Sequence, residues 1–399
     1  MYRFILTAAL LPMLALADEP APDWKAEIDL GRKAIAAHDY RGALDRFLTA
    51  LKLTEGSPDA TAGQLESLRG AARASLLQGN LENAEQFLTS AAAAAQKECG
   101  ESSPELASAL SDLAGVQRSR GEREQAIASL EKAVAIRAAL PEGKPEDLAK
   151  DLAGLGLLQV ATGGGDKAKE TLQRALAAWE TAAGPDSPQL LPVLDALGGV
   201  HRSAAEYTDA EPVYLRALVI REASLGPESS ELLSTLDSLA YVYFGQQKFA
   251  EAEPVYRRLL ALWESSAGPD HPMVALTLDK MAEFYAFQQR YAEAETAATQ
   301  ALALRTNQHL ASLNQVGRIL IMEAKIDEAG DLYSRSIQIG DLAKASDAAL
   351  DPLLRIEARI LRETDHPKEA DALDKRVKDA LIRKGDREGR RPSPVKLQQ

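Results

Sequence analysis

The feature that most constrains this chain is an alanine that returns at nearly fixed intervals. Ala43, Ala84, Ala126, Ala168, Ala210, Ala252, Ala294, Ala329 and Ala370 are separated by 41, 42, 42, 42, 42, 42, 35 and 41 residues. Self-similarity of this period marks stacked supersecondary units rather than one closed core. Twelve residues before each of the first eight alanines stands another small residue: Gly31, Ala72, Ala114, Gly156, Gly198, Ala240, Ala282 and Gly317. Four residues after it comes a larger apolar one in most units, as at Phe47, Leu88, Leu130, Leu172, Tyr214, Tyr256 and Tyr333. A length of 399 residues exceeds the roughly 300 at which single cores stop growing, which agrees with an open array.

Both halves of a unit carry helical period. Leu232, Leu236, Leu239, Ala240 and Tyr243 share one face by steps of three and four, and Ala252, Tyr256 and Leu259 share another. The small residues mark where two helices must approach closely. Short turns stand within units at Gln78-Gly79-Asn80, Arg120-Gly121-Glu122 and Gly163-Gly164-Gly165. Between units come Gly184-Pro185-Asp186-Ser187-Pro188, Gly226-Pro227-Glu228 and Gly268-Pro269-Asp270-His271-Pro272. In these the Gly is expected to end a helix in the left-handed conformation, the Pro cannot continue it, and Ser187 caps the next helix with Pro188 at its first position. Pro212 and Pro254 are expected in the first turn of second helices, which places those starts near Thr208 and Phe249. No strand pattern is present, and aromatic residues are only 5% of the chain.

The pattern resembles the tetratricopeptide repeat in its 42-residue, kinesin light chain-like variety. It is carried by Leu236-Asp237-Ser238-Leu239-Ala240, Phe249-Ala250-Glu251-Ala252-Glu253-Pro254-Val255-Tyr256, Leu260-Ala261-Leu262-Trp263-Glu264 and Gly268-Pro269-Asp270-His271-Pro272. The resemblance implies an all-α fold, an α-α superhelix of about nine antiparallel helix pairs. First helices would line a concave groove and second helices form the back. Repeats are expected over residues 24–341, a degenerate capping repeat over 342–384 and a disordered basic tail over 385–399. From Arg383 onward stand six basic and two acidic residues.

Residues 1–17, MYRFILTAALLPMLALA, read as a secretory signal peptide. Arg3 gives a positive start, the apolar stretch from Phe4 to Leu16 follows, and Ala15-Leu16-Ala17 is a small-x-small cleavage site. That stretch of 13 residues falls short of the roughly 20 a bilayer-spanning helix needs. A periplasmic or secreted protein is therefore expected, with no membrane span after cleavage.

Composition excludes several function classes. The net charge of −13 argues against a general nucleic-acid binder. The one cysteine, Cys99, rules out an internal disulfide framework and a multi-cysteine zinc site. By register Cys99 matches Ala183 and Ala267 and is expected to pack under a turn as an inert small side chain. The five histidines, His38, His201, His271, His309 and His366, lack metal-ligand spacing. His271 and His366 each stand in Asp-His-Pro, read as turns between units, and His201 reads as a packed core residue. Gly163-Gly164-Gly165 lacks the spacing of a phosphate loop and reads as a turn. Gly154 and Gly156 lie mid-helix and are assigned to close packing, at a cost of about 1 kcal/mol each relative to Ala. No catalytic residue, metal site or cofactor is expected.

The informative constellation lies on the first helices. Asp195, Asp237 and Asp279, then Asn314, follow the leading Leu of successive first helices. In the resembled kinesin light-chain repeats this slot is commonly Asn and contacts bound peptide. Asn314 fits that pattern, while the three Asp keep only its acceptor chemistry. One turn on stand Gly199, Tyr241, Glu283 and Arg318, and beyond them Arg202, Phe244 and Phe287. A repeat spacing of about 10 Å and about 3.3 Å per extended residue would let each Asp meet every third residue of a ligand. This predicts a protein or peptide partner with spaced Lys or Arg, anchored on Tyr241, Phe244 and Phe287. The expected function is a non-enzymatic binding scaffold, and the alternative is a self-associating structural protein of the cell envelope.

Overall fold

Stacking of amphipathic helix pairs accounts for the whole architecture. The structure is a computed structural model that describes residues 23–55, 60–140, 143–322, 325–342 and 344–387. Among these residues there are seventeen α-helices and no strand. They fall into two units that divide after Ala204.

The first unit holds α1 (Trp24–Ala36), α2 (Tyr40–Leu53), α3 (Ala60–Leu77), α4 (Leu81–Cys99), α5 (Pro104–Arg120), α6 (Arg123–Ala139), α7 (Pro145–Ala161), α8 (Gly165–Ala183) and α9 (Leu191–Ser203). Each packs on its chain neighbours, and α1 touches α3, α3 touches α5 and α7 touches α9. The second unit holds α10 (Tyr207–Leu225), α11 (Leu233–Gly245), α12 (Phe249–Ala267), α13 (Pro272–Phe287), α14 (Tyr291–Met322), α15 (Ile326–Leu342), α16 (Asp347–Glu363) and α17 (Pro367–Arg387). Contacts there again run between neighbours, with α14 also against α16.

The recurring alanines are the inner seam of each pair. Ala43, Ala84, Ala126, Ala168, Ala210, Ala252, Ala329 and Ala370 are all 0% exposed, and Ala294 is 9% exposed. The small residue twelve positions earlier has a physical partner. A Cβ at Gly31 would stand 2.9 Å from Phe47, at Gly156 2.6 Å from Leu172, and at Gly317 2.5 Å from Tyr333. Each of these large side chains is the one four residues after the recurring alanine of the same unit. A small position on the first helix therefore admits a large one from the second, and burying such a side chain stabilises by about 1.5–3 kcal/mol.

Several helix ends follow their sequence signals. Ser103 Oγ accepts from the Leu106 N–H at 3.2 Å with Pro104 opening α5. Ser187 accepts from the Gln189 N–H at 3.4 Å, and a 3-10 turn, Pro188–Leu190, leads into α9. The inter-unit glycines differ from expectation. Gly100, Gly184, Gly226 and Gly268 have φ of 97°, 90°, 87° and 95° with ψ of 166°, 163°, 159° and 155°. This is positive φ with extended ψ, a region essentially closed to side chains, not the left-handed helical one. The left-handed helical conformation occurs instead inside units, at Gly121 (φ 83°, ψ 8°).

Two further expectations are corrected. Helices α10 and α12 start at Tyr207 and Phe249, so Pro212 and Pro254 stand in the second turn rather than the first. Each removes an intrahelical donor, and both prolines are exposed, so water reaches the carbonyl left over. His366 belongs to the turn inside the last pair, between α16 and α17, not between units. The shortened interval of 35 residues has no separate turn at all. Helix α14 runs unbroken for 32 residues and serves as the second helix of one pair and the first of the next.

Candidate functional site

In the second unit the first-helix faces of α11 and α13 adjoin. Lys280 of α13 forms an ion pair with Asp237 of α11, and Phe244 of α11 meets Phe287 of α13 edge-on at 5.5 Å. The side chains proposed as aromatic anchors divide by exposure. Tyr241 is 47% and Phe287 58% exposed. Phe244 is half-buried among Phe249, Phe284 and Phe287, and so supports the exposed ring rather than presenting its own. Tyr241 leans edge-on against Tyr207 at 6.0 Å.

The acidic ladder is largely engaged within the protein. Besides the Asp237–Lys280 pair, Asp279 forms an ion pair with Arg305. Asn314 accepts the Tyr333 hydroxyl at its carbonyl oxygen, 3.1 Å, and at Oδ1, 3.2 Å. Glu283 is exposed and has no ion-pair partner among the described residues. Arg318 is exposed one turn beyond Asn314. Asp195 and Arg202 lie half-buried on α9, in the first unit, and each has an interaction of its own. The structure thus brings together Asp237, Tyr241, Phe244, Asp279, Glu283 and Phe287.

The first unit carries a second feature that the sequence reading missed. A cavity of about 840 Å³ opens along the first helices α1, α3 and α5. Its apolar wall includes Ile28, Ile35, Leu65, Leu76 and Val116. Two ion pairs cross it, Arg32 with Glu66 and Arg69 with Asp112, the latter at 2.6 Å. Arg73 and Arg118 also line it, are exposed, and have no ion-pair partner among the described residues. A Cβ at Gly115 would meet nothing within 4 Å, so the channel is open there. The signal that finds Arg32 and Arg73 is the register itself. The residue eleven positions before the recurring alanine is Arg32, Arg73, Gly115, Leu157 and Gly199 in the first unit and Tyr241, Glu283 and Arg318 in the second. Following the ladder of Asp alone left the earlier repeats unread.

The remaining chemistry is structural. His271 caps α13, its Nδ1 accepting from the Met273 N–H at 3.2 Å while its ring stacks on Trp263 at 5.3 Å. His201 is 7% exposed. Gly156 is held to glycine by Leu172, whereas a Cβ at Gly154 would make only an ordinary 3.5 Å contact with Leu130, so close packing explains one of the two. Cys99 is exposed rather than packed under a turn. What burial it has, with the carboxylates of Glu105 and Glu98, pushes its thiol up, away from nucleophilic character.

The profile of the tetratricopeptide repeat matches residues 63–139, 151–223 and 231–307, more than half of the chain. The chain belongs to the tetratricopeptide repeat family. Repeats of this family generally bind proteins or peptides. Solved structures similar to this tetratricopeptide chain include BtubC (BKLC) from P. vanneervenii, 20% identical, covering 58% of this chain and 92% of its own with a TM-score of 0.46. A putative kinesin light chain with nearly identical TPR-like repeats from Podosopora anserina is 19% identical over 50% of this chain and 96% of its own, with a TM-score of 0.43. A tetratricopeptide repeat protein from Parabacteroides merdae is 17% identical over 73% of this chain and 98% of its own, with a TM-score of 0.42. Comparison with curated proteins gives no match. No helix among the described residues is long and apolar enough to cross a membrane.

Proposed function

We propose that this protein is a non-enzymatic scaffold that holds an extended protein segment against the first-helix faces of its repeats. The observation that carries the reading is the exposure of Tyr241 and Phe287 at 47% and 58% beside Glu283, which has no ion-pair partner among the described residues. By contrast Tyr214, Tyr256 and Phe284 of this unit are 3%, 4% and 1% exposed, and the other strongly exposed ring, Tyr291 at 68%, stands at the start of α14 rather than on the α11–α13 face. Exposed aromatic side chains on a preformed face are the usual anchors of a binding surface.

Glu283 supplies the acceptor for a Lys or Arg of the ligand. Asp237 and Asp279 enter only if a ligand cation displaces Lys280 or Arg305. Exposed pairs contribute about 0–1 kcal/mol each, so the aromatic contacts set the affinity and the acids set the register. The test is peptide-array binding of wild type and a Tyr241→Ala/Phe287→Ala variant that melts alike. Selective loss of Lys- and Arg-bearing apolar peptides is expected. Unchanged binding across the array overturns the reading.

We also propose that the protein is exported. The three-part pattern of residues 1–17, which lie outside the described residues, supports this. Fusing that segment to a phosphatase that is active only outside the cytoplasm should give active fusion, and an inactive, intracellular fusion excludes export.

A further inference from the structure

We infer that the channel across α1, α3 and α5 binds an anionic, apolar segment of a partner protein, a chemistry opposite to that of the α11–α13 face. This rests on the scaffold reading and adds a second ligand class to it. The argument is an account of the cations in the channel. Arg32 is paired with Glu66 and Arg69 with Asp112, so those arginines brace neighbouring first helices and hold the channel open in advance of any ligand. Arg73 on α3 and Arg118 on α5 have no such role. In a chain of net charge −13, two guanidinium groups over one cavity with no ion-pair partner among the described residues are the groups a carboxylate would find. Guanidinium binds carboxylate through two parallel N–H donors, which fixes orientation as well as position.

The rest of the channel defines what accompanies the acid. Ile28, Ile35, Leu76 and Val116 present an apolar wall, and Gly115 leaves room for a side chain to descend. A volume of about 840 Å³ suits several side chains, not a single ion. The two free arginines sit on neighbouring first helices, about 10 Å apart by helix packing. An extended segment with an acidic residue at every third position, at about 3.3 Å per residue, matches that spacing. Glu105 at the start of α5 also lines the channel and repels acid at that end, so the ligand's apolar residues lie there. Nucleic acid fits poorly, because continuous phosphate needs many more cations than two.

The test is fluorescence anisotropy with the full chain and a labelled peptide carrying glutamate at every third position with leucine and alanine between. Wild type should bind it in preference to the same peptide with glutamine in place of glutamate. Arg73→Gln and Arg118→Gln should each weaken binding about threefold and together about tenfold, as loss of exposed charge-assisted pairs implies. Both side chains are exposed, so the variants should melt as wild type does. Equal binding by wild type and the double variant overturns the assignment of the channel and leaves the α11–α13 reading standing, since that reading is tested by Tyr241 and Phe287. No binding of the glutamate peptide, no preference for it over the glutamine peptide, or competition by a single-stranded oligonucleotide at equal concentration also overturns it.

Discussion

Gly226→Ala tests the way the repeats are joined. The residue has φ 87° and ψ 159°, and a Cβ there would meet nothing within 4 Å. Any cost is therefore backbone strain with no steric component. That region of dihedral space costs a side-chain-bearing residue about 1–3 kcal/mol. Gly115 gives the matched control, because its Cβ would also meet nothing, but it lies inside α5. There Ala should stabilise by about 1 kcal/mol through helix propensity alone. The two substitutions add the same methyl group to open space and should differ by about 2–4 kcal/mol, with opposite signs. Urea unfolding followed by circular dichroism reads the difference as displaced midpoints. Repeat arrays can unfold in segments, so the comparison is made on the transition of the unit containing each residue. If Gly226→Ala leaves its midpoint within about 0.5 kcal/mol of wild type, the positive φ is not required and the account of the inter-unit turn fails.

Gly156→Ala should destabilise by about 1–3 kcal/mol, because the new Cβ would stand 2.6 Å from Leu172; Gly154→Ala, measured by the same unfolding assay, should be neutral or stabilising. Glu253 is held down at about pH 2 by Arg290 and then Arg257. A folded value below the unfolded one gives stability that is complete above about pH 4.5 and lost as pH falls towards 2, about 1 kcal/mol after solvent screening. Glu253→Gln should flatten that acid limb. Glu357 is 4% exposed, and burial pushes its carboxyl up despite the hydrogen bond from Ser334. The charged form is thus disfavoured in the fold, so its contribution is present at low pH and lost as pH rises, and Glu357→Gln should stabilise by about 1–2 kcal/mol at neutral pH but not at pH 3. Lys280→Ala frees the Asp237 carboxylate and should strengthen binding of lysine-bearing peptides a few-fold in the array assay, with no gain for neutral ones.

The repeat was legible because one-dimensional spacing maps directly onto packing. A buried alanine with a small residue twelve positions before it needs no knowledge of distant neighbours, since both belong to one helix pair. The long helix α14 was legible in principle, as the interval of 35 removes the seven residues that elsewhere make a turn. What could not be read was the fate of the acids. Whether Asp237 is free depends on Lys280, 43 residues away, and on the rotation of α13 against α11. Charge spacing within one helix carries no such information. The exposure of Cys99 failed for a related reason. Register equated it with Ala183 and Ala267, but those positions are exposed as well, so the equivalence was sound and the burial assigned to it was not.

The register also explains how such a chain can change ligands without changing fold. In each repeat the small residue that admits the second helix is followed at once by an outward one: Gly31 by Arg32, Ala72 by Arg73, Ala114 by Gly115, Ala240 by Tyr241, Ala282 by Glu283 and Gly317 by Arg318. One step along a helix is about 100° of rotation, which takes the side chain from the seam of the pair to the first-helix face. The inner member is confined by Phe47, Leu172 or Tyr333 and has little freedom. The outer member is exposed at Arg32, Arg73, Tyr241, Glu283 and Arg318, and Arg73 and Glu283 have no ion-pair partner among the described residues. Surface substitutions of this kind move stability by about 0.5 kcal/mol or less, while a charge reversed at a binding face changes which partner fits. Adjacent positions in sequence thus carry separate duties, and exchange at this one slot gives Arg73 to the cationic channel and Tyr241 and Glu283 to the aromatic, acidic face.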